Sequence, residues 1–498
     1  MTKDIAQSVN ASIDVSEEAA VQFLHQVLSL IDKTNGDSVQ VDQFLRINVD
    51  TLADKALLTA LPIAFETCLS NQLFGSRQKW AWALVVFGLR ISEFPLGDRA
   101  DNLEAAIAAY ERALDVYTRN DFPQNWATTQ NNLGNAYKNR IRGDRADNLE
   151  AAIAAYERAL AVRTRNDFPQ DWAMTQNNLG NAYQNRICGD RAENLEAAIA
   201  TYELALQVLT RDDFPQKWAS TQNNLGTAYI SRIRGDRAEN LEAAIAACEM
   251  ALEVYTHDFP QDWAIIQNNL GTALVKRFQE SREVEELDAA ITTLQTAQTA
   301  AVQGTDSYVF IHYTLGIALD YRYSLHQNPA DLEEAITAYT HAAETTPWES
   351  DRTEYQQKAG DSQYQLGVAL TEAGQWYNGL AQLEASLATY RQGSNRLARA
   401  DALQQMARTH YLMSNFDKAR LYFRDALRIY LAENNTKGKA TCRFGLGRLL
   451  LRLNFIEDAI AELDRACTLF RELKDEARLA EIEQVYELAR KVRERQPL

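Results

Sequence analysis

The sequence predicts an all-α fold, an array of paired helices, from three observations. Only 30 of 498 residues are glycine or proline, about half the usual share of roughly 12%, which argues against a turn-rich β fold. The hydrophobic fraction is 46%, enough to build a core and too high for a disordered chain. Two strings also recur at a fixed interval. Gly-Asp-Arg-Ala-Asp/Glu-Asn-Leu-Glu begins at Gly97, Gly143, Gly189 and Gly235, 46 residues apart each time. Gln-Asn-Asn-Leu-Gly begins at Gln130, Gln176, Gln222 and Gln267, the last interval shortened by one residue missing before Asp258. Near-identity at a fixed period is the mark of a repeat architecture.

Each unit holds two helical patterns. The first is expected from about Trp126 to Ile141, with Leu133, Gly134 and Tyr137 at helical spacing, and Phe122-Pro123 places a proline where a first turn tolerates its missing N–H. The second is expected from about Asn148 to Thr164, where Ala152, Tyr156, Ala159 and Leu160 form an apolar stripe. Asp147 followed by Glu150 reads as a capping box at its start. Small residues (Gly134, Ala152, Ala159) allow close approach while Tyr137 and Tyr156 fill the space beside them. Neither helix can bury its stripe alone, so neighbouring units must close the core.

These residues carry a resemblance. Leu-Gly-x-x-Tyr on the first helix and Ala-x-x-x-Tyr-x-x-Ala-Leu on the second resemble the tetratricopeptide repeat. That family's unit is shorter by 12, and the surplus falls in two loops: Gly134 to Ala152 is 18 residues and Ala159 to Leu179 is 20, six more than the family has in each. The Asn-Asn-Leu-Gly string is similar to the kinesin light chain type of repeat. The 46-residue unit looks like bacterial arrays that often precede a CHAT domain, a caspase-like protease with a His–Cys pair. This chain departs from that arrangement, because its last residues still read as helical repeat, with no β-rich segment to hold such a dyad. The resemblance implies a right-handed superhelical solenoid of about nine helix pairs with helical caps.

The expected division is an N-terminal helical capping segment (1–75), long repeats (76–346), three 40-residue repeats (347–474) and a C-terminal capping helix (475–498). Leu366-Gly367, Met406-Ala407 and Leu446-Gly447 open the three shorter units.

Charge and motifs exclude several functions. The net charge of −17 argues against wholesale binding to nucleic acid or an anionic membrane. No run of 18 apolar residues and no basic start followed by an apolar core occurs, so neither a membrane span nor a secretory signal is expected. Five scattered cysteines (Cys68, Cys188, Cys248, Cys442, Cys467) fit a reducing cytoplasm. The six histidines have no i, i+3 or i, i+4 partners, and His410 reads as a packed core residue. No metal-ligand cluster, phosphate loop or nucleophile elbow is present. The acidic run from Glu280 to Asp288 reads as a solvated helix start. No cofactor, no metal and no catalysis are expected.

The expected work is binding. The resemblance implies that the first helices line a concave face and recognise a protein or peptide. If Leu133 and Tyr137 pack inward, Thr128, Asn131, Asn132 and Asn135 share another face, continued by Asn177, Asn178 and Asn181, then Asn223 and Asn224, then Asn268 and Asn269. Carboxamides both donate and accept, as an extended peptide backbone requires. The competing reading is that one asparagine of each pair bonds the next repeat and holds the stack together. A carboxylate-clamp mode would need basic residues where Met174, Ser220, Asn178 and Asn224 stand. The recurring Trp126, Trp172, Trp218 and Trp263 read as packing between units, and Arg99, Arg145, Arg191 and Arg237 as loop staples beside acidic residues, or as a binding stripe on the loop edge. From Arg391 onward 21 basic residues face 15 acidic ones, and Arg408, Arg448 and Arg452 fall on the groove face, where an acidic peptide could dock. The leading expectation is a scaffold or adaptor. The alternative is a regulatory sensor subunit for a separately encoded effector such as a CHAT protease. Near-identical units also leave room for self-association.

Overall fold

The two recurring strings become two kinds of helix. The computed structural model describes residues 15–49 and 76–495; the remainder of the expected N-terminal segment, with Cys68, lies outside the described residues. Among the described residues every regular element is a helix, and nine antiparallel pairs follow one another.

Contacts divide the chain into two units, one up to Tyr255 and one from Thr256. The first unit opens with α1 (Val15–Thr34) and α2 (Ser38–Ile47), packed on α3 (Arg77–Glu93) through Phe23, Leu24, Trp80 and Leu84. Helix α4 (Arg99–Leu114) completes the first pair. The next pairs are α5 (Pro123–Asn139) with α6 (Arg145–Leu160), α7 (Pro169–Asn185) with α8 (Arg191–Leu206), and α9 (Pro215–Ser231) with α10 (Arg237–Leu252). In this unit first helices of successive pairs also touch each other, α3 with α5, α5 with α7 and α7 with α9, which puts their side chains on one face.

The second unit holds α11 (Pro260–Ser281) with α12 (Val284–Gln298), α13 (Asp306–His326) with α14 (Pro329–Thr345), α15 (Glu349–Glu372) with α16 (Trp376–Gln392), α17 (Arg396–Leu412) with α18 (Phe416–Ala432), and α19 (Thr436–Arg452) with α20 (Ile456–Glu472). Helix α21 (Glu476–Arg495) packs on α20 and α19.

The first-type helices start at Pro123, Pro169, Pro215 and Pro260, each in the first turn, where the missing N–H costs nothing. The second-type helices start three residues before the expected Asn148. Their cap is Asp144, which accepts from the N–H groups of Ala146 and Asp147, and Asp98, Asp190 and Asp236 cap in the same way. The capping box expected at Asp147 and Glu150 is therefore corrected: Asp147 lies in the first turn, and Glu150 reaches an arginine of the next pair. Before each cap Gly143 and its counterparts turn the chain at positive φ (+79° at Gly143), where a Cβ would be strained.

One close contact sets the spacing within a pair. A Cβ added to Gly134 would stand 2.6 Å from the Tyr156 ring, and the same holds for Gly180 with Tyr202 and Gly316 with Tyr339. The tyrosines are buried, each ring lying flat on the missing side chain.

Candidate binding surfaces

In the first unit the polar face of the first helices is organised by hydrogen bonds that run along the stack. Asn178 Nδ2 donates to Asn131 Oδ1 at 3.2 Å, and Asn224 Nδ2 donates to Asn177 Oδ1 at 3.0 Å. The second asparagine of each pair thus holds the first asparagine of the pair before it, and within α5 Asn131 Nδ2 donates to Asn132 Oδ1 at 3.4 Å. Asn135 and Asn181 each accept from the tyrosine of their own pair, Tyr156 and Tyr202, at 2.7 Å, and Asn132, Asn135 and Asn139 line one recess of about 340 Å³. Asn131 is buried. Asn177 and Asn178, with Met174, Lys217, Ser220 and Tyr255, line a recess of about 270 Å³. Ser220 and Tyr255 hydroxyls are bonded there at 2.8 Å.

Three further staples cross between pairs. Arg140 is bidentate to Glu104 (2.7 and 2.7 Å), Arg186 to Glu150 (2.6 and 2.8 Å), and Arg232 to Glu196 (2.8 and 2.8 Å). The guanidinium holds the Glu150 and Glu196 carboxyls below the usual carboxylate range by hydrogen bonding. Sequence reasoning missed these pairs, although both partners recur every 46 residues. Asn148, Asn194 and Asn240 complete the loop: each donates to a loop carbonyl and accepts from the same arginine. Arg163, buried, is another missed staple, donating to Thr175 Oγ1 (2.9 Å) and Thr128 Oγ1 (3.0 Å) on two successive first helices.

The expected loop staples are present with a different partner. Arg99, Arg145, Arg191 and Arg237 donate to backbone carbonyls seven residues back (Ser92, Lys138, Gln184, Ile230), at 2.9 Å for Arg237. They satisfy helix C-termini, which leave carbonyls open, and the loop edge exposes Ile141, Ile187 and Ile233 instead. Trp126 packs on the cluster of the first pairs, and Trp172 and Trp218 pack around Ala205 and Leu209; Trp263 is buried.

In the second unit Asn268 and Asn269 line a recess with Ile265, Thr305 and Phe310, and Asn268 Oδ1 is buried without a hydrogen-bond partner. Arg408 and Arg448 line a larger cavity of about 370 Å³ on the first-helix face of α17 and α19. Arg452 is exposed and is not among its walls. Arg408 pairs with Glu372 at 3.2 Å and Arg448 with Glu481 at 3.7 Å.

His410 is buried and stacked on Tyr422, ring centroids 5.4 Å apart. His312 and His341, far apart in sequence, meet at 5.2 Å between centroids. Gln298 Nε2 donates to His312 Nε2, so Nδ1 carries the proton toward the Tyr308 carbonyl, and burial lowers the His312 pKa. Glu286 of the acidic run is paired with Arg277 at 2.6 Å. Cys188 is exposed. Among the described residues no cluster of three or more His, Cys, Asp or Glu could hold a metal ion, and no described helix is long and apolar enough to cross a membrane.

Antiparallel pairs with a glycine–tyrosine contact and staples between successive first helices define a helical-repeat protein. The tetratricopeptide repeat profile matches residues 126–166, 172–216 and 218–261, and a second profile of the same description matches 359–432. The matched segments are tetratricopeptide repeats. Comparison with curated protein sequences gives no match. Among solved structures it is similar to the apo quorum sensor NprR from B. thuringiensis (13% identity, covering 84% of this chain and 99% of that one, TM-score 0.41). It is also similar to a Signal Transduction ATPase with Numerous Domains that carries a tetratricopeptide repeat sensor, from Pyrococcus horikoshii (13%, 92% and 74%, TM-score 0.39). A Rap protein complexed with competence and sporulation factor is a third (14%, 83% and 97%, TM-score 0.35).

Proposed function

We propose that this protein is a non-catalytic scaffold that binds an extended protein segment along the first helices of its first unit. The observation that carries the reading is the amide ladder beside the 270 Å³ recess. Asn177 spends its oxygen on Asn224, and Asn178 spends one N–H on Asn131. A carboxamide has two N–H groups and two lone pairs on its oxygen, so donors of Asn177 and the oxygen of Asn178 are left over beside Met174 and Tyr255. Such fixed amides match the alternating N–H and C=O of an extended backbone, and Met174 supplies an adaptable apolar contact. Holding the amides in place before the ligand arrives lowers the entropic cost of binding.

Peptides selected from a random display library against the full chain test this. Met174→Arg fills the recess and leaves every ladder bond in place. Selected peptides should bind the variant about tenfold more weakly or worse by fluorescence polarisation, a loss of about 1.4 kcal/mol. Unchanged affinity in a folded variant would remove the recess from the binding surface.

A further inference from the structure

The cavity of the second unit is built unlike the ladder. Its apolar wall is made by the rings of Tyr411, Phe423, Phe444 and Phe470, and three guanidiniums, Arg408, Arg448 and Arg478, stand with them. Only two carboxylates share that lining, Glu372 and Glu481. Glu372 takes Arg408, and Glu481 takes Arg478 at 2.8 Å. Arg448 is left 3.7 Å from the same Glu481, its guanidinium over both Tyr411 (5.7 Å) and Phe444 (5.6 Å). One positive charge among aromatic faces is therefore uncompensated by the lining.

A second observation points to an acceptor. Gln405 lines the cavity and is 6% exposed, yet its Nε2 has no hydrogen-bond partner. A buried amide donor left unpaired costs roughly 1–3 kcal/mol, and turning the Gln405 amide toward a ligand oxygen in the cavity would recover it. The volume, about 370 Å³, lies in the range of roughly 300–1,000 Å³ that takes small molecules.

We infer that this cavity binds a small organic monoacid with an apolar body, the body between the phenyl rings and the carboxylate on Arg448 and Gln405 Nε2. The arginine supplies a charge-assisted bond and the amide supplies the neutral one. The inference goes beyond the segment-binding reading and does not depend on it: the two surfaces share no residue, and Met174→Arg leaves this cavity untouched.

The test is ¹⁹F NMR titration of the full chain with 3-(4-fluorophenyl)propionate and, in parallel, its neutral primary amide. The acid should broaden saturably and bind about tenfold more tightly than the amide. Arg448→Met changes a half-exposed side chain and should fold; it should weaken the acid about tenfold while leaving the amide nearly unchanged. Gln405→Leu should weaken both probes, since both carry an acceptor oxygen. Lack of saturable binding at millimolar acid, equal binding of acid and amide, or unchanged acid affinity in Arg448→Met would each overturn the inference.

Discussion

In the 46-residue pairs of the first unit, five residues (140–144) separate α5 from α6, and hydrogen bonds tie that loop down: Arg140 on Glu104, Asn148 on the Arg142 carbonyl, Asp144 on the next helix. In the last three pairs of the second unit, the turns are three residues long. Gly374, Ser414 and Asn454, 40 residues apart, take the left-handed conformation (φ +80°, +58° and +63°). There Leu383, Phe423 and Leu463 meet Gly367, Gly445 and Gly447, and the ion pair from Arg408 to Glu372 crosses between successive pairs at 3.2 Å. The contrast teaches that this chain's extra loop length is structural. It carries a bidentate charged latch between repeats, where the short turns leave Arg408 on Glu372 through one nitrogen.

Five experiments break or sharpen this contrast. The largest effect is expected from Leu463→Ala in the second unit, where a fully buried side chain leaves a cavity against Gly447. Denaturant unfolding should show a loss of about 2–5 kcal/mol, with faster amide exchange in α19 and α20. Gly134→Ala in the first unit pushes a methyl into the Tyr156 ring, and should cost about 1–3 kcal/mol with exchange rising in α5 and α6. A cost near zero would mean that the pair has slack, and that the glycine does not set its spacing.

Arg186→Met removes one latch and should cost about 1 kcal/mol, the upper end for a partly exposed pair; a loss several times larger would make the latch the main cohesion of the first unit. Its pH dependence has a definite sign. The Glu150 carboxyl is depressed in the folded protein, so its stabilisation is complete above the ordinary glutamate pKa of roughly 4.3 and fades as pH falls through the lower folded value. The difference in Tm between wild type and Glu150→Gln should therefore be constant near neutrality and shrink below about pH 4. The smallest effect is expected from Lys474→Gly. Lys474 sits at φ +55°, where a side chain is strained, and relief should add a few tenths of a kcal/mol, at most about 1.

The fold was legible because the repeat writes each helix four times, and because Gly134 and Tyr156 carry a contact that only a paired helix explains. The start of the second helix was misread by three residues because Asp144 and Asp147 are both good caps; what decides is the left-handed turn at Gly143, which the sequence permits without demanding. The surface was only half legible. The asparagines were visible, but their bonds depend on how one pair sits on the next: Asn178 finds Asn131, 47 residues away, an offset of one from the period. Asn135 stays beside Asn132 in one recess, but its bond to Tyr156 is set by a partner that lies on the other helix. The orphan amide of Gln405 left no trace in the sequence, since burial without a partner is a property of the packed cavity alone.

The latch has a consequence for how the chain can vary. Removing residues 145–190 would join Asp144 to Arg191 and delete Glu150 and Arg186 together, while Glu104–Arg140 and Glu196–Arg232 keep both members. Tyr202 would then face Asn135 as Tyr156 did, and Asn224 would face Asn131 as Asn178 did. Each joint is written in the same letters on both sides, so whole units can be lost or copied in register and every seam still closes. The length of the array is free to drift while its contacts stay fixed.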